Sequence, residues 1–345
     1  MKKVIKVLDS TLRDGGQGLE DLNKNGIKTE LFTKNDRKNI ATNIQNSGID
    51  IIELGCIEES DSNKEGFAIY QNIETVSKYI PKTRNSNQMF VGLYIGPDTD
   101  LNKIPEHNPE LCDGIRVILR YSELQKSLDY CAALSKKGYK VFVQPMLTMR
   151  YSDDEIKFLI DSANEMGAFA LYFVDSFGYM NEYDINRLFH FYDEKLDSKI
   201  NIGFHPHNNM ELAFKNVQCF LNQQSTRNVI IDSCTIGMGQ GAGNMQTEVL
   251  INYLNENYGK NYDLNCVLEV CEIIKKFRPG EMETWGYSPV RFIPAIHKTA
   301  YKYAVAMRLQ YNMSLVEINN ILSDMPDYMR HRYTTENLTK LLESK

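Results

Sequence analysis

At 345 residues the chain is long for one ordinary domain, yet a (β/α)₈ barrel takes about 250 as a single unit and leaves room for an appended element. Its 42% hydrophobic and 24% charged residues suit a globular protein with a large core, and a net charge of −6 argues against a nucleic-acid or anionic-membrane partner. No apolar run reaches the ~18–20 residues of a membrane helix, and seven cysteines without a CxxC pair suit reduced thiols in a cytoplasm.

The chain opens on two lysines and a brief apolar stretch before Asp9, which reads as a strand and not as a signal peptide. Short apolar runs then recur at residues 4–8, 49–54, 90–95, 115–119, 140–143, 168–174, 200–204 and 229–231. Between them, residues 35–47, 122–137, 153–166, 182–195 and 210–222 carry apolar positions at helical spacing. Ser152 and Glu155 form a capping signal before Ile156. Strands that alternate with helices pair in parallel through right-handed crossovers, and eight such units close into a barrel. An open doubly wound sheet is the competing architecture, but no GxGxxG turn follows the first strand.

Past about residue 262 the pattern is helical only, at 264–277, 290–309, 315–322 and 338–342, with breaks at Arg278-Pro279-Gly280 and Asp324-Met325-Pro326. The expected organisation is a TIM-barrel catalytic domain over 1–260 and a helical extension over 261–345, serving as a lid or a dimer contact.

In such a barrel the active site is built at the carboxyl ends of the strands. The first strand runs into Asp9-Ser10-Thr11-Leu12-Arg13-Asp14-Gly15-Gly16-Gln17, the second ends at Glu53, the seventh gives His205-Pro206-His207-Asn208-Asn209, and the eighth leads to the glycine-rich segment 237–244. Alternating side-chain direction aims both imidazoles of an HxH to one side, a plausible metal pair, though histidines also serve as hydrogen-bonded core residues. An RDG tripeptide is by itself a common turn, and a glycine-rich loop is often tight-turn geometry or a phosphate cradle. Their combination at strands one, seven and eight is harder to dismiss, because those strands are neighbours in a closed barrel. Asp14, His205, His207 and the amide oxygen of Asn244 would suit Mn²⁺, Mg²⁺, Co²⁺ or Zn²⁺ with positions left open for substrate. Chelated by a 2-oxo acid, such an ion stabilises the enolate of carbon–carbon cleavage or condensation. Arg13 would add a fixed positive charge. Glu53 would orient Arg13, move a proton, or simply pair with a core arginine. Arg120, Gln144, Asp175 and Ser176 also fall at strand ends, with Gln144 and Ser176 the preferred substrate contacts.

The LRDG segment, Glu53, the HxHNN segment and the GxGxxAGN loop resemble the pyruvate-carboxyltransferase and HMG-CoA-lyase-like TIM-barrel superfamily over residues 4–255. The tail, with Trp285-Gly286-Tyr287-Ser288, resembles its 4-hydroxy-2-oxovalerate aldolase-like branch. The resemblance implies a metal held by Asp14, His205 and His207 with Asn244 near or bound, and enolate stabilisation by Arg13. Two positions depart from the aldolase pattern. Gln17 stands where those enzymes carry a histidine base, and Arg291 stands where they carry a catalytic tyrosine. Arg291 would suit a substrate with an extra carboxylate or phosphate, or an interface. The lyase's catalytic cysteine has no counterpart in the loop 237–244, so Cys234 reads as a buried structural thiol, and His297 as a helix-surface residue or a substitute base.

The resulting expectation is an aldolase-type lyase, or its condensing reverse, that needs a divalent metal (Mn²⁺ or Mg²⁺ before Zn²⁺ or Co²⁺) and acts on a 2-oxo acid with an aldehyde or ketone partner. It would be cytoplasmic and homodimeric. The alternatives are an acetyl-CoA-dependent Claisen synthase of the isopropylmalate or homocitrate type, favoured by Gln17, and a metal-binding barrel without turnover.

Overall fold

The computed structural model describes residues 3–59, 63–83, 87–277 and 285–343. From the start the chain forms β1 (Ile5–Asp9), α1 (Thr11–Lys24), α2 (Lys34–Asn46), β2 (Ile51–Ile57), a two-residue β3 (Ile69–Tyr70), α3 (Ile73–Ser77), β4 (Met89–Tyr94) and β5 (Gly114–Leu119). It continues through α4 (Leu124–Lys136), β6 (Lys140–Pro145), α5 (Asp153–Met166), β7 (Ala170–Asp175), α6 (Glu182–Lys195), β8 (Asn201–Pro206), α7 (Ala213–Leu221), β9 (Val229–Ser233) and α8 (Thr247–Tyr258). The sheet order β1-β9-β8-β7-β6-β5-β4-β2 returns to β1 through the β1–β2 pairing, so eight parallel strands close into a (β/α)₈ barrel, with β3 only an outer addition to β2. All eight expected strands are present.

The strands are buried on both faces, as a parallel sheet under helices requires. Leu8, Ile51, Val91, Phe142, Tyr172 and Ile230 fill the barrel interior, while the alternate positions Val7, Ile52, Phe90, Val141 and Ile231 pack outward under the helices. Helix α5 shows how the outer layer is fixed. The Ser152 hydroxyl accepts the Glu155 N–H, the Glu155 carboxylate accepts the Ser152 N–H, and Gly167 closes the far end at φ +62°. Its face of Ile156, Leu159, Ile160 and Ala163 is fully buried, each large side chain contributing roughly 1.5–3 kcal/mol.

Two elements differ from expectation. The segment after β1 is not a strand-end loop but helix α1, with Arg13 and Asp14 in its first turn. The expected single helix over 290–309 is split into α10 (Pro289–Ile296) and α11 (Lys302–Tyr311), after α9 (Leu264–Ile274). The split comes where Lys298 takes a left-handed φ of +53° and the Thr299 N–H turns back to the Pro294 carbonyl. The break at Arg278-Pro279-Gly280 lies outside the described residues. Helices α12 (Leu315–Ser323), α13 (Asp327–Arg330) and α14 (Thr335–Glu343) complete the tail, whose apolar cluster of Tyr303, Met307, Ile318, Leu322 and Leu338 is separate from the barrel core. Helix α9 instead packs with the barrel through Val267, Val270 and Ile274. Among the described residues no helix is long and apolar enough to cross a membrane, and all seven cysteines are unpaired.

At the end of β1, Asp9 is buried and accepts the Thr11 N–H and the hydroxyls of Thr11 and Thr247. Burial, only partly offset by those bonds, raises its carboxyl from 3.8 to about 6. The protonated form is therefore favoured in the fold. Stability from this group is present below about pH 4 and is lost as pH rises toward 6, by about 3 kcal/mol. Asp9→Asn should flatten that part of the profile, read as the change in urea-unfolding free energy between pH 4.5 and 7. An unchanged slope contradicts the assignment.

Candidate active site

A cavity of about 240 Å³ opens at the carboxyl ends of the strands. Arg13, Asp14 and Gln17 reach it from α1, and His205 and His207 from the end of β8; Leu93, Ile95, Ile118, Met146 and Val174 line it from the arc β4 to β7. Helix α1 can sit this close because its glycines lack side chains. A Cβ on Gly16 would lie 1.9 Å from the Phe67 carbonyl oxygen, and one on Gly18 2.8 Å from that of Gly239. Ser10 closes the first turn, its hydroxyl donating to Asp14 Oδ2 at 2.6 Å.

Each site residue is held from behind. Arg13 Nε donates to Glu53 Oε2 at 2.9 Å, and its Nη1 donates to Asp14 Oδ1 and to Gln17 Oε1 at 3.2 Å. Nη2 has no hydrogen bond within the described residues. His205 Nδ1 meets Asp232 Oδ2 at 2.7 Å, and His207 Nδ1 meets the Asp175 carbonyl at 3.0 Å. With Nδ1 donating in both rings, each Nε2 carries its lone pair free. Burial pushes both imidazoles below their usual value, His205 far below, so both are neutral, the form that ligates metals. Burial alone would raise Asp14, but the Arg13 guanidinium and the Ser10 hydroxyl help to hold it below the ordinary carboxylate value.

Among the described residues no three His, Cys, Asp or Glu side chains enclose an ion as they stand, since Asp14 is drawn to Arg13 and faces His205 Nε2 only at 3.9 Å. The donor set still fits a divalent cation. It combines an ionised carboxylate with two neutral imidazoles whose rings lie 4.9 Å apart. The Asn244 Oδ1 is buried without a hydrogen-bond partner, an unmet demand that an ion would answer.

The HMGL-like family profile matches residues 116–274. Residues 116–274 are therefore similar to that family. A 4-hydroxy-2-oxovalerate aldolase from Carboxydothermus hydrogenoformans is 26% identical over 323 residues, covering 89% of this chain and 90% of that one. Among solved structures, the N-terminal domain of a putative aldolase from Bacteroides vulgatus superposes with a TM-score of 0.70 at 22% identity, covering 90% of this chain and 99% of its own. The HMG-CoA lyase of Bacillus subtilis superposes with a TM-score of 0.61 at 17% identity, covering 81% and 96%.

Other expected residues are placed differently. Gln144 and Ser176 line the cavity; the Gln144 Nε2 is buried without a partner, while the Ser176 hydroxyl is engaged by the Leu147 N–H at 2.8 Å. Arg120 is not brought to it. Its guanidinium turns outward to Asp98 and to Glu123 at 3.1 Å. Arg291 lies buried on α10 beside a separate small void shared with Asp21 and Tyr301, on the far side of Gln240. Glu53 sits beneath the cavity, paired with Arg13 and with Arg116 at 2.6 Å. The Asp175 carboxylate caps its own loop at Tyr179 and Met180. His297 faces Asn319 of α12 at 2.9 Å and not the site. Cys234 is buried with its sulfur 3.1 Å from the Ser10 hydroxyl. Sequence reasoning missed Arg116, Asp232 and Gln240. The first two carried a signal, each being a charged residue inside an apolar strand, where burial demands a partner.

Proposed function

We propose that this barrel is a divalent-metal-dependent aldolase-type lyase that breaks or forms a carbon–carbon bond beside the carbonyl of a 2-oxo acid. The observation that carries the reading is the meeting of Arg13, Asp14, His205 and His207 at one cavity, each anchored from behind. The curated aldolase relative, similar over nearly the whole of both chains, supports it. Asp14, His205 and His207 would hold the cation, with Asn244 Oδ1 as a further donor. Bound there, a divalent ion supplies Lewis-acid polarisation of the substrate's carbonyl.

The chain's own residues do the rest. The open Nη2 of Arg13 presents a fixed donor to the oxygen on which negative charge gathers as the carbon–carbon bond breaks. The free Nε2 of Gln144 suits the substrate carboxylate. The apolar arc offers no competing hydrogen bonds on its side of the cavity, which favours both interactions. Gln17 accepts from Arg13 and cannot take a proton, so it positions the guanidinium and is not a base. We read residues 1–260 as the catalytic barrel and 261–345 as a helical extension whose first helix, α9, packs on the barrel core and whose later helices expose Leu309, Tyr311 and Val316, which suit a homodimer contact.

Exchange of pyruvate's methyl protons with deuterated water, followed by NMR, tests the reading. Exchange should require Mg²⁺, stop on adding EDTA and return on restoring the metal. Exchange indifferent to EDTA, or none at all with metal bound, would overturn it. Release of CoA from acetyl-CoA with a 2-oxo acid would redirect it to a synthase.

A further inference from the structure

Arg116 is fully buried on β5 and does not touch the cavity, yet both halves of the site lead to it. Its Nη1 donates at 2.6 Å to Glu53 Oε2, the same oxygen that takes Arg13 Nε. Its Nη2 donates to Asp232 Oδ2, the same oxygen that meets His205 Nδ1. The guanidinium lies over the Tyr172 ring, 5.1 Å from its centre, so its plane is fixed by packing. We infer that Arg116 is a positioning residue that sets Arg13 through Glu53 and His205 through Asp232 at once.

The physical case is geometric. Glu53 on β2 and Asp232 on β9, strands that both flank β1, are two carboxylates buried close together that would repel or turn away without a cation between them. Only a planar fork can give one N–H to each along fixed directions, whereas a lysine ammonium on a flexible stem serves one well. With Arg116 in place, each carboxylate keeps its second hydrogen bond aimed at one site residue. Without it, the Arg13 guanidinium loses the anchor that aims Nη2. His205 loses the partner that fixes its Nδ1–H tautomer and frees Nε2.

The inference rests on the proposed function only for its activity readout. The test uses Arg116→Lys in the full chain, beside Asp232→Asn and Glu53→Gln. Long-range ¹H–¹⁵N NMR of His205 reads the tautomer directly and without substrate. The wild type should show protonated Nδ1 and Arg116→Lys a mixture of tautomers. Mn²⁺ affinity should fall about 10–100-fold in Arg116→Lys, and by no further amount when Asp232→Asn is added. Metal-saturated exchange of pyruvate protons should fall in kcat more than in KM, and this loss should not add to that of Glu53→Gln. A merely structural arginine would lower the melting temperature and leave tautomer, affinity and kcat as they were. That result overturns the inference. If the wild type fails to exchange pyruvate protons, the proposed function falls, while the tautomer still decides the role of Arg116.

Discussion

Arg13→Lys should lower metal-dependent exchange of pyruvate's methyl protons by about 10²–10³-fold, the usual cost of removing one fixed donor from a developing oxyanion. Lysine keeps the charge that Asp14 and Glu53 require, so the protein should still fold. What it loses is the fork: one arm on Glu53, one on Asp14 and Gln17, and a third, Nη2, with no hydrogen bond among the described residues. Mn²⁺ binding should be nearly retained, because Asp14, His205 and His207 are unchanged. The comparison separates electrostatic stabilisation from metal capture, and the readout is the exchange rate at saturating metal. Exchange near the wild-type rate in Arg13→Lys would show that any nearby cation suffices.

Gly16→Ala should destabilise the protein by about 1–3 kcal/mol or more, the range for forcing an added methyl into a filled space. The neighbour it would strike, at 1.9 Å, is the Phe67 backbone carbonyl, which cannot swing aside as a side-chain tip can. Helix α1 would have to withdraw, and Arg13 and Asp14 lie only three and two residues before the collision. Metal affinity should therefore fall along with stability. Urea unfolding and Mn²⁺ titration of the same variant check both. A loss of stability with wild-type affinity would show that α1 is not what places Asp14.

The barrel was legible because buried parallel strands must be apolar on both faces, which leaves short runs such as those around Phe142 and Ile202 standing out between polar helices. The neighbour relation of β1, β8 and β9 followed from closure alone. Helix α1 was not legible. Glycines at 15, 16 and 18 lower helix propensity, and what they provide is close packing against Met238, Phe67 and Gly239, a tertiary gain that no local pattern reports. Arg120 and Gln144 both occur at strand ends, but Gln144 lies within β6 and points into the cavity, while Arg120 follows β5 and turns to Asp98. In the layer beneath the site, Glu53 could be read as a partner of Arg13 or of a core arginine, while Arg116 and Asp232 were visible only as charges interrupting apolar strands. Their pairing across the barrel needed coordinates.

Pulsed electron paramagnetic resonance of the Mn²⁺-loaded protein addresses the metal centre most directly. Nitrogen couplings from two imidazoles are expected, with one lost in His205→Gln and the other in His207→Gln. A spectrum showing only water and carboxylate oxygen around the ion, and indifferent to both substitutions, would contradict a cation held by Asp14, His205 and His207.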